Sequence, residues 1–443
     1  MGKVSTVARG QSSRVEPGSG DFTQPLPLNL VPPRGRCHPH GPRLRARSRR
    51  EPVAVPGARA RDRAAPVGPS LTSRPGLRSD AAPGTALHPG LWHRGRVEPP
   101  VIDVGALLRA ASPPDERRAV GDELVRACRE LGFFQVVGHG VDPGLRARLL
   151  TEARAFFALP EDEKARIAMP LGGRAWRGWF PLGGELTSGV PDRKEGLYFG
   201  TELPADDPRV VAGTPLHGPN LLPARPVELG ALVLRWIDEV TAAGQAVLRG
   251  IALGLGLEER WFDRWCADPT VLFRIFRYPP PTDGEHAGDW GVAEHTDYGL
   301  LTLLAQDDAG GLEVRGPEGW VPVPVVEDAF VCNLGDMLER CTGGEFRSTA
   351  HRVTVPAVER LSMPLFLDPG WAARVEPLPG MAPTGDALTA TGHRWDGESV
   401  FDVDGTYGEY LTSRVARAFP ELFREVGVDR AGLGTGADAA GST

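Results

Sequence analysis

Two side chains with metal-binding chemistry stand close together in the stretch AEHTDYGLLTLLAQ, residues 293–306. His295 and Asp297 are separated by one residue and precede an apolar run. Residues i and i+2 of an extended strand point to the same face, so an imidazole and a carboxylate at this spacing converge on one point. Both groups are common ligands of divalent metals. The spacing therefore predicts two ligands of one metal site.

A metal site needs at least one more ligand, and the candidate is His351 in EFRSTAHRVTV, where polar and β-branched neighbours favour a strand. We expect it to meet His295 and Asp297 across a barrel. Two imidazoles and one carboxylate on one face of an octahedron leave three positions open, as in non-haem Fe(II) oxygenases. These ligands offset only one of the two charges of Fe(II), which leaves room for an anionic chelator. Zinc accepts the same ligand types, but three open positions argue against a structural zinc site.

A carboxylate-binding pair follows nine residues after His351, in the segment RLS. Arg360 and Ser362 again have the spacing that places two side chains on one strand face. A guanidinium binds a carboxylate through two parallel hydrogen bonds, and a hydroxyl adds a third. Tyr278, in FRYPP, is a further phenolic donor if its strand lines the same cavity. The alternatives are a salt bridge within the sheet for Arg360 and core packing for Tyr278.

The other polar candidates are predicted to be structural. This prediction covers four further histidines: His139, His217, His286 and His393. Asn333 and Asp336, in NLGD, have the character of turn residues. Lys194 and Glu195 are predicted to form a charge pair, with substrate contact left open. Trp290 is predicted to pack rather than to stack on a substrate.

The elements that must position these residues change character along the chain. Between residues 97 and 260, amphipathic spacing predicts helices, the longest in PVELGALVLRWIDEVTAAGQAVLRGIALGLG, and FFQVVGHGV favours a short strand. From residue 261 to 425, Gly, Pro and Asp separate short β-rich runs, and YGEYLTSRVARAFPEL predicts a last helix. The pattern predicts an α+β fold with a double-stranded β-helix (jelly roll) core and flanking helices.

The two ends of the chain have a different composition. Residues 1–100 contain 17 Lys and Arg against 6 Asp and Glu, with many prolines and no apolar period. We expect residues 1–96 to form a disordered basic leader rich in Pro and Arg, and residues 426–443 to form a disordered tail. An alternative is that translation starts later than Met1. The next methionine is Met169, so a later start would use a Val or Leu codon, such as that of Val97.

Composition also limits the partners. The Arg-rich stretch of the leader, residues 34–78, has no interleaved aromatic residues and no amphipathic pattern, so we expect no nucleic-acid partner. We expect neither a secretory signal nor a membrane span, since no apolar stretch reaches the ~18 residues that a span requires. The 5 cysteines are scattered without CxxC spacing, which favours a reducing cytoplasm over a disulfide framework. We expect a cytoplasmic monomer that acts on a small-molecule substrate.

Six motifs between about residues 101 and 423 occur together: ELGFFQVVGHGV, PDRKEGLYFG, HTDYG, GGLEV, NLGDMLERCTGGEFRSTAHRV and ERLSMPLFL. With them, the chain resembles the iron(II)- and 2-oxoglutarate-dependent dioxygenases of the isopenicillin N synthase-like family. The resemblance implies that three side chains hold Fe(II): His295, Asp297 and His351. It also implies that Arg360 and Ser362 bind the distal carboxylate of 2-oxoglutarate and that Tyr278 assists them.

The resemblance implies an oxygenase reaction, in which O₂ and 2-oxoglutarate yield succinate, CO₂ and a ferryl oxidant that hydroxylates a small metabolite. Some members use the Arg-x-Ser pair on the substrate's own carboxylate, so a 2-oxoglutarate-independent oxidase or oxidative cyclase is an alternative. A catalytically silent metal-binding protein is another. Two positions depart from the family. Gly138 stands where many relatives have Asn, and Phe276 where plant-type members often have an Asn that helps to hold 2-oxoglutarate.

Overall fold

The computed structural model describes residues 98–187, 189–281, 290–355, 357–383 and 396–420. The leader predicted for residues 1–96 and the tail predicted for residues 426–443 lie outside the described residues, and so do His286 and His393. The statements below refer to the described part of the chain.

Several of the helices begin at a residue whose side chain caps the N-terminus. Asp142 accepts a hydrogen bond from the backbone of Gly144 at the start of α3, and Thr406 and Glu409 form a capping box at the start of α9. None of the described helices has the length and apolar character needed to cross a membrane. The α-helices are α1 (Gly105–Leu108), α2 (Pro114–Glu130), α3 (Pro143–Phe157), α4 (Glu161–Lys164), α5 (Pro208–Val211), α6 (Leu229–Gly254), α7 (Asp263–Cys266), α8 (Asp336–Cys341) and α9 (Tyr407–Ala418).

The strands are short and concentrated in the second half of the chain, as the β-rich runs predict. They are β1 (Val101–Asp103), β2 (Phe133–Val137), β3 (Gly178–Phe180), β4 (Leu186–Thr187), β5 (Val190–Pro191), β6 (Glu195–Gly200), β7 (Thr270–Tyr278), β8 (Trp290–His295), β9 (Leu301–Gln306), β10 (Leu312–Gly316), β11 (Gly319–Pro322), β12 (Phe330–Leu334), β13 (His351–Thr354) and β14 (Arg360–Asp368).

The strands form two main sheets, and the predicted jelly-roll core with flanking helices is confirmed. The larger sheet has the order β1-β2-β12-β9-β14-β7-β6-β3, and the smaller one the order β11-β10-β13-β8. The first half of the chain supplies β1, β2, β3 and β6 to the larger sheet, although its patterns predict only β2. Strand β6 is buried at every residue. A strand that is buried on both faces lacks the alternation by which strands are detected.

Helix α6 is the main helix packed on the larger sheet. It spans 26 residues and ends at Gly254, within the segment for which the sequence predicts the longest helix. Val233, Trp236 and Ile251 on α6 are fully buried. A Cβ added at Gly244 would lie 2.9 Å from side-chain atoms of Leu303 in β9. The helix therefore contacts the larger sheet directly, at the neighbouring strands β9 and β14.

Helices α2 and α6 approach each other so closely that only glycine fits at their crossing. A Cβ added at Gly121 of α2 would lie 2.5 Å from the carbonyl oxygen of Gly250 and 2.8 Å from the nitrogen of Gly254. Both are backbone atoms of α6, so a larger residue would push the helices apart. The crossing is therefore sensitive to added volume.

We predict that Gly121→Val lowers the free energy of unfolding by about 1–3 kcal/mol, because overpacking displaces backbone. Urea denaturation followed by circular dichroism measures the change. The matched control is Ala119→Val on the exposed side of the same helix, which introduces the same β-branch and should cost only a few tenths of a kcal/mol. Equal losses in the two variants would contradict the prediction.

Candidate metal and carboxylate site

Three side chains with metal-ligand chemistry converge where β8 and β13 pair. His351 is directly opposite His295 in the antiparallel register, and the two ring centroids are 4.2 Å apart. Oδ1 of Asp297 lies 3.9 Å from Nε2 of His295 and 3.7 Å from Nε2 of His351. The three ligand atoms all lie within 4.8 Å of one another. The side chains that the sequence selects are therefore brought together.

Two details of this cluster differ from the sequence-based expectation. Strand β8 ends at His295, so Asp297 follows the strand instead of continuing it. His351 is the first residue of β13, and it meets His295 side by side on a neighbouring strand, not across the barrel. Spacing within one segment does not specify which strands pair, so the expectation of a contact across the barrel was wrong.

The backbone orients both imidazoles. Nδ1 of His295 is 2.9 Å from the carbonyl oxygen of Ala293, and Nδ1 of His351 is 3.2 Å from that of Thr349. Because a carbonyl oxygen only accepts hydrogen bonds, each Nδ1 carries the proton and each Nε2 keeps its lone pair. Burial lowers the pKa of both histidines. Each ring is therefore neutral at pH 7 and directs a free lone pair towards Asp297.

Two residues that sequence reasoning missed hold the carboxylate in place. Oγ1 of Thr302 donates to Oδ2 of Asp297 at 2.5 Å, and Nδ2 of Asn333 donates to the same oxygen at 2.6 Å. Oδ1 is therefore left to face the imidazoles. Burial alone would raise the pKa of Asp297, but the two histidines and these two donors hold it below its ordinary value. The carboxylate is thus charged at pH 7.

The prediction that Asn333 is a turn residue was wrong. Asn333 lies within β12, where every residue is buried, and the turn into α8 begins only after the strand, at Gly335. A polar residue inside an otherwise apolar strand was the signal that pointed to this role, because a buried amide needs a partner. Asp336 is the first residue of α8 and accepts a hydrogen bond from Tyr410 at 2.7 Å. It therefore has the structural role that was expected of it, although in a helix.

A buried guanidinium with unused hydrogen-bond donors lines the cavity that also contains the candidate metal ligands. Arg360 is completely buried, and its Nε donates to the carbonyl oxygen of Gly310 at 2.6 Å. Nη1 and Nη2 of Arg360 have no hydrogen-bond partner among the described residues. Its guanidinium carbon is 4.7 Å from the ring centroid of Tyr278, its direct partner in the β7–β14 register. Two parallel, buried and unpaired donors suit a bidentate carboxylate.

One cavity of about 450 Å³ joins the two groups of residues. It is lined by all six of the predicted site residues: His295, Asp297, His351, Arg360, Ser362 and Tyr278. Phe276 also lines it and lies opposite Ser362 in the register of β7 and β14. An aromatic ring therefore covers the position where an Asn is frequent in plant-type relatives, and the polar candidates at this end of the cavity are Arg360, Ser362 and Tyr278.

Lys194 and Glu195 do not pair with each other, so that prediction was wrong. Lys194 is 2.6 Å from Asp192, whereas Glu195 is 2.7 Å from Lys164 and 2.8 Å from Arg277. Successive residues of an extended segment point to opposite faces, which separates the two side chains. Lys194 lines the cavity, and Glu195 does not.

The other predicted structural residues lie outside the cavity. His139 has a ring nitrogen 2.7 Å from the carbonyl oxygen of Asp328, and Nδ1 of His217 is 2.8 Å from that of Pro215. Trp290 is 45% exposed and packs against Arg352, whose guanidinium carbon is 3.8 Å from a Trp290 ring centroid. Trp290 therefore packs at the surface and does not line the cavity.

Two family models match the chain. Residues 99–225 match the model described as non-haem dioxygenase in morphine synthesis N-terminal, and residues 269–369 match the model described as 2OG-Fe(II) oxygenase superfamily. The second match contains the candidate metal ligands and the Arg-x-Ser pair.

Curated relatives and solved structures agree with these matches. The chain is 40% identical over 350 residues to a "Probable iron/ascorbate oxidoreductase" of Dictyostelium discoideum, with 74% of this chain and 96% of the relative covered. It is 35% identical over 332 residues to a homoarginine-6-hydroxylase of Arabidopsis thaliana, covering 72% and 97%. A solved structure of a full-length Neurospora crassa protein in complex with alpha-KG has a TM-score of 0.59 and 25% identity, covering 74% and 98%. The chain belongs to the 2-oxoglutarate- and Fe(II)-dependent oxygenase superfamily.

This membership establishes the reaction class and the cofactors. The protein is an oxidoreductase of the dioxygenase type that uses Fe(II), 2-oxoglutarate as co-substrate and O₂, as the sequence predicted.

The hydrogen bonds to Asp297 generate a prediction about metal affinity. Asn333→Ala and Thr302→Val each release the carboxylate from a donor, and loss of such a partner typically costs 10–100-fold in metal affinity. Anaerobic titration with Fe(II) measures the dissociation constant.

Thr302→Ser is the matched control, because it keeps the hydroxyl that donates to Asp297, and it should bind Fe(II) nearly as the parent protein does. If these side chains were merely structural, all three variants would lose thermal stability, and Thr302→Val and Thr302→Ser would bind Fe(II) with equal affinity. Parental Fe(II) affinity in Asn333→Ala would show that the amide does not position the ligand.

Proposed function

We propose specific roles for the cavity residues in this oxygenase. The residues proposed to hold Fe(II) are His295, Asp297 and His351. The residues proposed to bind 2-oxoglutarate are Arg360, Ser362 and Tyr278. The observation that carries the proposal is that Arg360, buried and with two unpaired donors, shares one cavity with three converging metal-ligand side chains.

The residues fit both groups chemically. Two neutral imidazole nitrogens and one carboxylate oxygen are a facial donor set that suits Fe(II) and leaves open positions for other ligands. Nη1 and Nη2 of Arg360 would otherwise remain buried without partners, at a cost of about 1–3 kcal/mol for each unsatisfied group. A distal carboxylate would satisfy both nitrogens at once. The hydroxyl of Ser362, on the same face of β14, is the further donor that we assign to this carboxylate.

Bound Fe(II) supplies the oxidising chemistry, in which O₂ is consumed and 2-oxoglutarate becomes succinate and CO₂. The chain's own residues contribute position. Thr302 and Asn333 hold Oδ1 of Asp297 towards the imidazoles, and the carbonyls of Ala293 and Thr349 set the ring orientation. This fixed geometry needs little reorganisation when the metal binds.

We further propose that the enzyme hydroxylates a small molecule and works as a cytoplasmic monomer, without a nucleic-acid or membrane partner. Four of the cysteines, Cys128, Cys266, Cys332 and Cys341, are buried and free of disulfides, which supports a reducing compartment. We propose residues 97–260 as the helical N-terminal part and residues 261–425 as the oxygenase core.

The decisive test of the site assignment is to incubate the Fe(II)-loaded protein with 2-oxoglutarate, O₂ and each metabolite of a panel. Succinate that forms only when a metabolite is present measures turnover. We expect His351→Ala to abolish succinate formation and Fe(II) binding, because it removes one of three ligands. His217→Ala, a histidine outside the cluster, is the matched control and should retain both. Turnover in His351→Ala would refute the assignment, and O₂ consumption without 2-oxoglutarate would favour the co-substrate-independent oxidase.

A separate prediction concerns the co-substrate. Arg360→Gln removes a charge-assisted contact worth roughly 1.5–3 kcal/mol, which corresponds to about 10- to 150-fold weaker binding of 2-oxoglutarate. Anaerobic titration of the Fe(II)-loaded protein with 2-oxoglutarate, followed by the charge-transfer absorption band, measures this affinity. Fe(II) binding itself should persist. Arg352→Gln, whose arginine already pairs with Glu313 at 2.7 Å, should leave the affinity unchanged, and the same result for Arg360→Gln would exclude the proposed role.

A further inference from the structure

A second buried arginine lies in the cavity wall away from the co-substrate residues. Arg274 lies on β7, four residues before Tyr278, and both side chains line the cavity. At about 3.3 Å per strand residue, the two positions are roughly 13 Å apart along the strand. Tyr278 is opposite Arg360 in the register, so Arg274 lies well beyond the distance that one bound carboxylate spans. The two guanidiniums therefore serve different groups.

Arg274 has only weak partners within the protein. Its Nη1 donates to the carbonyl oxygens of Phe199 and Phe273 at 3.2 and 3.3 Å, and its guanidinium carbon is 3.5 Å from the ring centroid of Tyr198. The side chain is only 6% exposed. No carboxylate oxygen of a described residue lies within 4.0 Å of a guanidinium nitrogen of Arg274, so the side chain forms no ion pair among these residues. A buried charge without an ion pair is costly, so a ligand that supplies one gains affinity.

The carboxylate of Glu185 also lines the cavity, but it is already engaged by other groups. It accepts a hydrogen bond from the hydroxyl of Tyr198 and pairs with Lys194 at 2.9 Å. Asp368 lines the cavity as well, and it accepts a hydrogen bond from the hydroxyl of Tyr407 at 2.6 Å. Burial lowers the pKa of Arg274, and the interactions with Tyr198, Glu185 and Asp368 offset this effect only in part. The protein itself therefore leaves the charge of Arg274 incompletely compensated.

The other cations of the cavity wall are already paired. Apart from Arg360, each has a carboxylate partner: Lys194 with Asp192 at 2.6 Å, Arg414 with Glu398 at 2.8 Å, and Arg417 with Glu398 at 2.7 Å. Their charges are offset before any ligand binds. Among the described lining residues, the unpaired positive charge is thus confined to Arg360 and Arg274.

A third arginine reinforces the positive charge beside Arg274. Arg177 is buried, its Nη2 donates to the carbonyl oxygen of Leu216 at 2.9 Å, and its Nε and Nη1 have no partner among the described residues. Its side chain packs over Gly200 in β6. Gly200 is on the same face of β6 as Tyr198, and Tyr198 lies opposite Arg274 in the register of β6 and β7. Burial and then the charge of Arg274 lower the pKa of Arg177 to about 9. An anion at Arg274 would relieve this repulsion.

The remaining wall of the cavity is largely apolar. Leu411, Val415 and Phe419, from α9 and the residue after it, line it together with Leu216 and Tyr298. This surface accepts a hydrocarbon or aromatic body and offers it no charged partner. The cavity thus combines an apolar wall with one unpaired guanidinium that the co-substrate does not use.

We propose that Arg274 binds the carboxylate of the substrate, and that the substrates of this enzyme are small organic acids with an apolar body. The inference rests on the proposed function, because it assigns the other unpaired arginine to 2-oxoglutarate. Arg274 is then a specificity-determining residue, and Arg177 supports it electrostatically.

The test uses matched pairs of probes and measures binding without turnover. The full-length protein is loaded with Mn²⁺ and saturating N-oxalylglycine, a 2-oxoglutarate analogue that occupies the Arg360 end. Small acids with apolar bodies, including 3-phenylpropionate, 4-phenylbutyrate and cyclohexylacetate, are compared with their primary amides by isothermal titration and thermal shift. We expect the best acids to bind at least tenfold more tightly than their amides. Arg274→Gln should remove this preference, and Arg274→Lys should restore part of it.

Arg417→Gln is the matched control, because it removes a lining arginine that already has a carboxylate partner, and it should keep the preference for acids. Binding of N-oxalylglycine to Arg274→Gln shows that the rest of the site is intact. Failure of N-oxalylglycine to bind even the parent protein would count against the proposed function. Equal binding of acids and amides by the parent protein overturns the role of Arg274, even if Arg274→Gln does not fold. An acid preference that survives in a folded Arg274→Gln overturns it as well.

Discussion

The candidate site depends on one cross-strand pair, His351 opposite His295. In an antiparallel sheet, residues directly opposite each other have their Cβ atoms about 4.5–5.5 Å apart. This distance is short enough for two imidazoles to bind the same metal ion. The register and the hydrogen bonds from the two Nδ1 atoms to backbone carbonyl oxygens together fix two of the three donor atoms. Asp297 then needs only to be held from the other side, and the larger sheet does this through Thr302 of β9 and Asn333 of β12. The site is thus shared between the two sheets.

The larger sheet also fixes the distance between the positive charges. Strands β7 and β14 are neighbours. On β7, every second residue from Arg274 through Phe276 to Tyr278 lies on the face that lines the cavity. Arg360 lies at one end of this row, next to Tyr278. A pleated strand holds such side chains at fixed intervals, so the two unpaired guanidiniums cannot collapse onto one anion. Each guanidinium is therefore open to a separate anionic group, and binding of such a group would offset the free-energy cost of burying the charge.

The sequence predicted the chemistry of the site better than its surroundings. His295, Asp297, His351, Arg360 and Ser362 were all selected from residue type and local spacing, and all line one cavity. The predicted fold class was also confirmed, because amphipathic helices and short β-rich runs leave a local pattern in the sequence. The front-half strands β1, β3 and β6 escaped detection because short or fully buried strands leave none.

The errors have a common origin. Asn333 was assigned to a turn, although it lies in a buried strand and donates to a candidate ligand. Lys194 and Glu195 were paired because they are adjacent in the chain, yet their partners lie elsewhere. In each case a local rule was applied to a contact between distant segments.

The sequence by itself determined which side chains are the candidates for the chemistry and which class of enzyme the chain belongs to, because residue type and spacing within a strand are local properties. Only the tertiary structure decided that the two histidines are side-by-side partners, that Thr302 and Asn333 hold Asp297, and that Arg274 has no ion pair among the described residues. Those facts depend on strand register and on which segments become neighbours when the core is buried. No local pattern encodes these relations, because they arise from the packing of the whole chain.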